Sequence, residues 1–358
     1  LLAGALLHPL AAWLPAPPWP LVVVMTATLL LPPGRMLLAA SLIRIALRGV
    51  TPGTYPRGGR VHLRIWLAEQ IQAQLAATSL AGAALMPWYA RLLGASVGRD
   101  VQLHALPPVT GFLRLARGAS VESEVDLSGS WIDGDVVHVG AVRIGRDARI
   151  GARSTLGPGA RVAAGAEVAP GSFVGGRVQP GALVSGSPAA RVGRARGAWE
   201  GRHAPGPRRW VAIYGLAGAL VAALPWLAAA IGGLVALPAL RAADTVGAAA
   251  LTALPWLPLA ALVGYAALML LVLVVVRLAA LAIRSGPVPV RSGAGLAAWL
   301  TMRVLDEARA WLYPLYAGAL TPWWLRALGA RVGRGVEAST VVMIPSLTEI
   351  GDEVFLAD

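Results

Sequence analysis

The chain contains no cysteine. That excludes disulfide staples, thiolate metal sites and cysteine nucleophiles. It also contains no lysine and no asparagine, so all 31 basic residues are arginine. Lysine Schiff-base chemistry and a phosphate-binding P-loop lysine go with them. So uniform a choice of Arg over Lys is the mark of a GC-rich coding sequence and carries little functional weight. Charge of either sign is scarce, at 14% of 358 residues, against about 25% in ordinary soluble domains. Apolar residues fill the gap at 56%, which is too much apolar surface for a chain disordered throughout. The net charge of +13, taken with this hydropathy, points to a membrane protein with its basic side toward anionic lipid or cytoplasm, and away from nucleic acid. No His-Glu-x-x-His, EF-hand loop or P-loop is present, and no Gly-x-Ser-x-Gly follows a predicted strand.

Residues 1–34 carry no Asp, Glu or Arg. Pro15, Pro17, Pro18 and Pro20 predict a tight turn between a short span, Leu1–Leu14, and a second from Leu21 to about Leu47, broken or kinked at Pro32-Pro33-Gly34. Trp210–Leu240 and Thr245–Val276 contain no charged residue. Each exceeds the roughly 20 residues that cross a bilayer, and together they predict a helical hairpin. Between Arg44 and Arg209 stand 21 arginines against 10 acids. The positive-inside rule therefore places residues 49–208 in the cytoplasm; the expected location is the bacterial inner membrane, with the chain crossing it several times.

Between the spans an aliphatic residue recurs every sixth position: Ile144, Ile150, Leu156, Val162, Val168, Val174. A small residue follows each one, and another stands four places on, as in Ala148, Ser154 and Ala160. The register slips by two at Val178. Weaker hexads run back through Val137, Val125, Val121 and Leu115 to Val97-Gly98. A period of six is neither helical nor that of a simple strand; it predicts a three-sided parallel coil of hexapeptide repeats, with aliphatics inside and glycines relieving the corners. Ser185-Gly186-Ser187-Pro188-Ala189-Ala190 resembles the closing segment of hexapeptide acyltransferases.

The chain also contains a second, longer repeat: Pro87-Trp88-Tyr89-Ala90-Arg91-Leu92-Leu93-Gly94-Ala95 matches Pro322-Trp323-Trp324-Leu325-Arg326-Ala327-Leu328-Gly329-Ala330. The match reaches upstream to Glu69 and Glu307 and downstream to Leu115 and Ile350. The expected domains are transmembrane helices over 1–48 (the first truncated), an amphipathic helical lead-in over 49–96, a hexapeptide-repeat β-helix over 97–200, a transmembrane hairpin over 201–284, and a second lead-in with the truncated start of a second β-helix over 285–358. Trp88 and Tyr89 are expected to anchor the lead-in at the membrane surface.

On these repeats, and on Val137–Gly145 and Ser154–Ala160, the chain resembles the C-terminal region of nonribosomal peptide synthetases of the ε-poly-L-lysine synthetase type. The resemblance implies membrane α-helical hairpins alternating with left-handed parallel β-helices of the trimeric hexapeptide-repeat kind. It implies solenoids that transfer aminoacyl groups from a carrier thioester to an acceptor amine. It further implies adenylation and carrier domains upstream or on another protein, a phosphopantetheine arm on that carrier, membrane lipid, and further β-helix copies completing a trimer. A membrane-associated acyl-CoA-dependent O- or N-acyltransferase and a non-catalytic assembly scaffold are the competing readings.

Of the five histidines, His8, His62 and His203 fall in a span, the lead-in and a linker. His138 lies beside Asp133 and Asp135. An imidazole titrating near pH 6.5 suits a general base, and an adjacent acid would orient it. His104 is a weaker candidate, since its counterpart is Ser339. Glu122, Glu124 and Asp126 alternate, which predicts one strand face for binding a substrate cation or simply facing water. Arg143, Arg149, Arg153 and Arg161 are expected on solenoid turns. The first three are candidates for a pantetheine phosphate, with solvated surface as the alternative.

Overall fold

The computed structural model describes residues 18–29, 32–75, 85–197, 209–339, 341 and 343–356. The expected span Leu1–Leu14, His8 and His203 lie outside them. Two compact units divide the chain, one built largely from Pro32–His203 and the other largely from Leu216–Asp358.

The first unit is organised around the hexads. Val97 pairs in parallel with Leu115, Ile144 with Val162, and Ile150 with Val168, each pair separated by three full hexads. One coil is therefore three hexads, and its strands stack into three faces. Face one carries strands at 96–97, 113–115, 142–144, 161–162 and 177–178. Face two carries 102–103, 120–121, 149–150, 167–168 and 182–185. Face three carries 155–156 and 173–174, extended by a bridge from Asp126 to Thr155. The slip at Val178 is real: Val162 meets Val178 and Val168 meets Val184, both short of three full hexads.

The aliphatics fill the inside. Ile150 and Leu156 are fully buried, and Ile144 and Val168 nearly so. Each contributes about 1.5–3 kcal/mol by leaving water. At Gly145 and Gly151 the small residue after the aliphatic is required by space rather than by φ. A Cβ on Gly145 would stand 2.6 Å from the Ala164 nitrogen of the next coil, and one on Gly151 2.6 Å from that of Pro170. The left-handed backbone comes two residues later, at Asp147, Arg153, Gly159, Gly165 and Gly171, a slot the hexad reading did not contain.

One coil breaks the rule. Leu115 pairs with Ile144 and Val121 with Ile150, much further along the chain than three hexads. The extra length is an antiparallel hairpin, Ser130–Asp133 with Val136–Val139, joined on its outer side by Gly53–Pro56. Val137 thus belongs to this hairpin and not to a hexad. At the C-terminal end, Ser185–Ala190 turns the chain back so that Ala190–Arg194 pairs antiparallel with Ala182–Ser185.

The lead-in helices Arg60–Leu75 and Met86–Leu92 precede the first coil. Tyr89 is fully buried, with Gln72 Nε2 donating to its hydroxyl at 3.4 Å, and burial pushes that hydroxyl's pKa up to about 12. Tyr89 is therefore a core residue, not a membrane-surface anchor; Trp88 is half-buried.

In the second unit, Ala212–Arg241 and Gly247–Ala280 are long and apolar enough to cross a membrane. They pack closely through small residues. A Cβ on Gly232 would meet the Ala260 carbonyl oxygen at 2.4 Å, and one on Gly264 the Ala228 oxygen at 3.2 Å. Ala228, Gly232, Ala260 and Gly264 form a small-xxx-small pair of the kind that lets helices approach in lipid. The run expected from Leu21 to Leu47 breaks into two helices, Trp19–Leu29 and, in the first unit, Pro32–Ala46, each shorter than a single span. Helices Gly293–Trp311 and Thr321–Leu328 repeat the lead-in, and their Val304, Leu312, Trp324 and Leu328 share one core with Val272 and Val276 of the hairpin. The second coil then starts, with Val332 pairing to Ile350.

Both copies enter their coil through the same device. Gly94 and Gly329 take positive φ at the helix end, and an arginine of the helix grips the first strand. Arg91 donates to the carbonyls of Val97 and Gly98, as Arg326 does to those of Val332 and Gly333.

Candidate functional site

The extra hairpin holds His138. In the three-stranded sheet Thr54, His138 and Trp131 stand opposite one another, so their side chains share a face. His138 Nδ1 lies 3.2 Å from Thr54 Oγ1, and the ring is half-buried. Either atom can be the donor; in the tautomer whose Nδ1–H donates to Thr54, Nε2 is the basic nitrogen. Trp131 packs on Phe173 of face three, with ring centroids 5.7 Å apart. Phe173 pairs with Thr155, and Thr155 bridges to Asp126. The imidazole, two aromatic rings, a hydroxyl and a carboxylate thus line one continuous strip of surface.

Asp133 and Asp135 are not the partners of that imidazole. Asp133 is opposite Val136 near the tip of the hairpin, and Asp135 is in the tip itself, where its carbonyl accepts from Arg57 N at 2.8 Å. Both are exposed. The hydrogen-bond partner of the imidazole is a hydroxyl from a strand far away in sequence, and no local pattern marked it.

The three acids also fall differently from expectation. Glu122, Glu124 and Asp126 bracket a coil corner and do not line one strand. Glu122 accepts from Ala152 N at 2.9 Å. Glu124, left-handed at φ 57°, pairs with Arg153 at 2.7 Å. Only Asp126, whose Oδ2 accepts from Ser128 Oγ, belongs to the strip. Beside it runs the helix Arg60–Leu75. There Glu69 has its carboxyl pushed above the usual carboxylate range, first by partial removal from water, with Asp126 adding to the shift and His62 opposing it. Glu69 was visible in the sequence only as a repeated position.

The arginines disperse. Arg143 and Arg161 stand on strands of face one, Arg149 on face two, and Arg153 in the corner beyond it. Arg143, Arg149 and Arg153 therefore do not converge on one phosphate, because successive strands of a three-sided coil look in different directions. His104 follows a face-two strand, half-buried, with its backbone N donating to Val121 O. Among the described residues no His, Asp and Glu cluster suits a metal ion.

The chain is 24% identical, over 341 residues, to a delta-poly-L-ornithine synthetase of Acinetobacter baumannii; the alignment spans 90% of this chain and 25% of that protein. The chain thus corresponds to about a quarter of its relative's length. No protein-family model matches. Among solved structures, part of the chain is similar to a hexapeptide-repeat acetyltransferase from Vibrio cholerae (14% identity, 46% of this chain and 93% of that one, TM-score 0.27). It is also similar to a serine acetyltransferase from Neisseria gonorrhoeae (22% identity, 45% and 54%, TM-score 0.27).

Proposed function

We propose that this chain is the membrane-bound transfer region of a nonribosomal peptide synthetase, an enzyme that joins amino acids into a homopolymer or short peptide. The relative's name and the extent of the alignment support the class. The observation that carries the reading is the single lengthened coil, which lifts a half-exposed imidazole off a packed solenoid and fixes its Nδ1 by Thr54. In this reading the coils are left-handed and complete a trimer with further β-helix copies. Adenylation and carrier domains, upstream or separate, present an aminoacyl thioester. The acceptor amine attacks the thioester carbonyl, His138 Nε2 takes the amine proton as the C–N bond forms, and the thiolate leaves. Trp131 and Phe173 shield the reacting carbonyl from water, and Asp126 holds an acceptor's cationic end. The solenoid lies on the cytoplasmic side of the bacterial inner membrane, by its excess of arginine.

The test is His138→Gln in the full-length synthetase. Loss of a general base lowers turnover by about 10²–10⁴-fold, while aminoacyl loading of the carrier stays normal. Unchanged polymer formation favours the scaffold reading, and activity with acyl-CoA in place of a loaded carrier favours the acyl-CoA-dependent transferase.

A further inference from the structure

The three faces of the first solenoid differ in how they handle charge. On face two, Arg196 neutralises Glu167 with a side-chain pair and a backbone hydrogen bond. The corner toward face three pairs Glu124 with Arg153. Face one instead stacks four arginines in register, Arg114, Arg143, Arg161 and Arg177. All four are exposed, and none forms an ion pair among the described residues. Like charges directly opposite one another in a sheet destabilise it. The fold does not demand the arrangement, because the second repeat places Glu349 where the first has Arg114, and Arg331 Nη1 pairs with it across the strands at 3.5 Å. The four side chains border an open groove of about 400 Å³, floored by Ala116, Gly145 and Ala163.

We propose that face one is a docking surface for a carboxylate-rich α-helix of a partner protein. Neighbouring strands are about 4.8 Å apart, so the ladder rises about 14 Å along the solenoid axis. A helix presents residues three and four apart at about 5–6 Å. One helix lying along the axis sets a carboxylate against each rung, and the small residues of the floor let it approach closely. No outward residue on these strands is aromatic or aliphatic, so the face lacks both the apolar wedge that inserts in lipid and the rings that stack nucleic-acid bases. This surface does not depend on the role given to His138.

The probe is a labelled, alanine-rich helical peptide with Glu at every third or fourth position along one stripe. Its binding to the detergent-solubilised full chain is read by fluorescence anisotropy. The double variant Arg143→Gln/Arg161→Gln weakens binding by about tenfold or more, and 1 M salt abolishes it because screening shortens to about 3 Å. The same peptide with its glutamates scattered round the helix binds several-fold more weakly, and Arg191→Gln/Arg194→Gln on the strand Ala190–Arg194 leaves binding unchanged. Equal loss in that control, equal binding of the scattered peptide, or tighter ladder-dependent binding of anionic vesicles or single-stranded RNA overturns the proposal.

Discussion

Thr54 and His138 meet because two strands far apart in the chain lie edge to edge, and the hydrogen bond between them holds the imidazole in place. Removing it as Thr54→Val should cost about 0.5–1.5 kcal/mol, a few-fold to about tenfold in turnover, and Thr54→Ser should restore it. A merely structural role would lower stability and leave turnover in place. Glu167 makes the opposite kind of statement, about the fold. It is buried, and its Arg196 hydrogen bond, the largest effect, holds its carboxyl below the usual carboxylate range in spite of burial. A depressed native pKa adds stability above the unfolded value near 4.5 and loses it as pH falls through the native one. Arg196→Gln should therefore lower thermal stability at pH 7 and make little difference in strong acid. A thermal-shift series from pH 7 down to 3 checks the sign.

At the scale of elements, the two copies of the lead-in show which sequence features do mechanical work. Gly94 and Gly329 end their helices left-handed, and Arg91 and Arg326 then tie helix to first strand, so helix and coil are joined by the same hydrogen bonds twice. The pair of long apolar helices depends on a closer fit. A side chain at Gly232 has no room against the Ala260 carbonyl, so Gly232→Leu forces the helices apart and strips contacts along their seam. The expected cost is about 1–3 kcal/mol, as for other overpacked sites, read as a lower melting temperature in detergent. Gly233→Leu, one position round the helix where a Cβ meets nothing within 4 Å, should be tolerated.

For the whole molecule, the distribution of arginine gives a topology that can be measured. The loop joining the two long apolar helices carries little charge, whereas the solenoid segment is strongly basic. The absence of cysteine makes single-cysteine labelling clean. In sealed inverted vesicles, Ala164→Cys on an exposed solenoid corner should react with a membrane-impermeant maleimide, and Ala242→Cys in the hairpin loop only after the vesicles are opened. Labelling of both before opening would place the loop and the solenoid on one side and remove the membrane-crossing hairpin from the account.

The period of six, the slip at Val178, the two long apolar helices and the doubled lead-in were all legible, because each is a pattern written along the chain and survives without knowledge of contacts. The membrane-surface role for Tyr89 was not: an aromatic near a membrane segment reads the same whether it faces lipid or fills a core, and only packing against Gln72 distinguishes them. The pairing of Thr54 with His138, the separation of Arg143, Arg149 and Arg153, and the strip joining His138 to Asp126 belong to tertiary structure alone. A coil that turns through three faces places neighbours in sequence on different surfaces and brings residues a whole coil apart into register, so a short window of sequence cannot show which side chains act together.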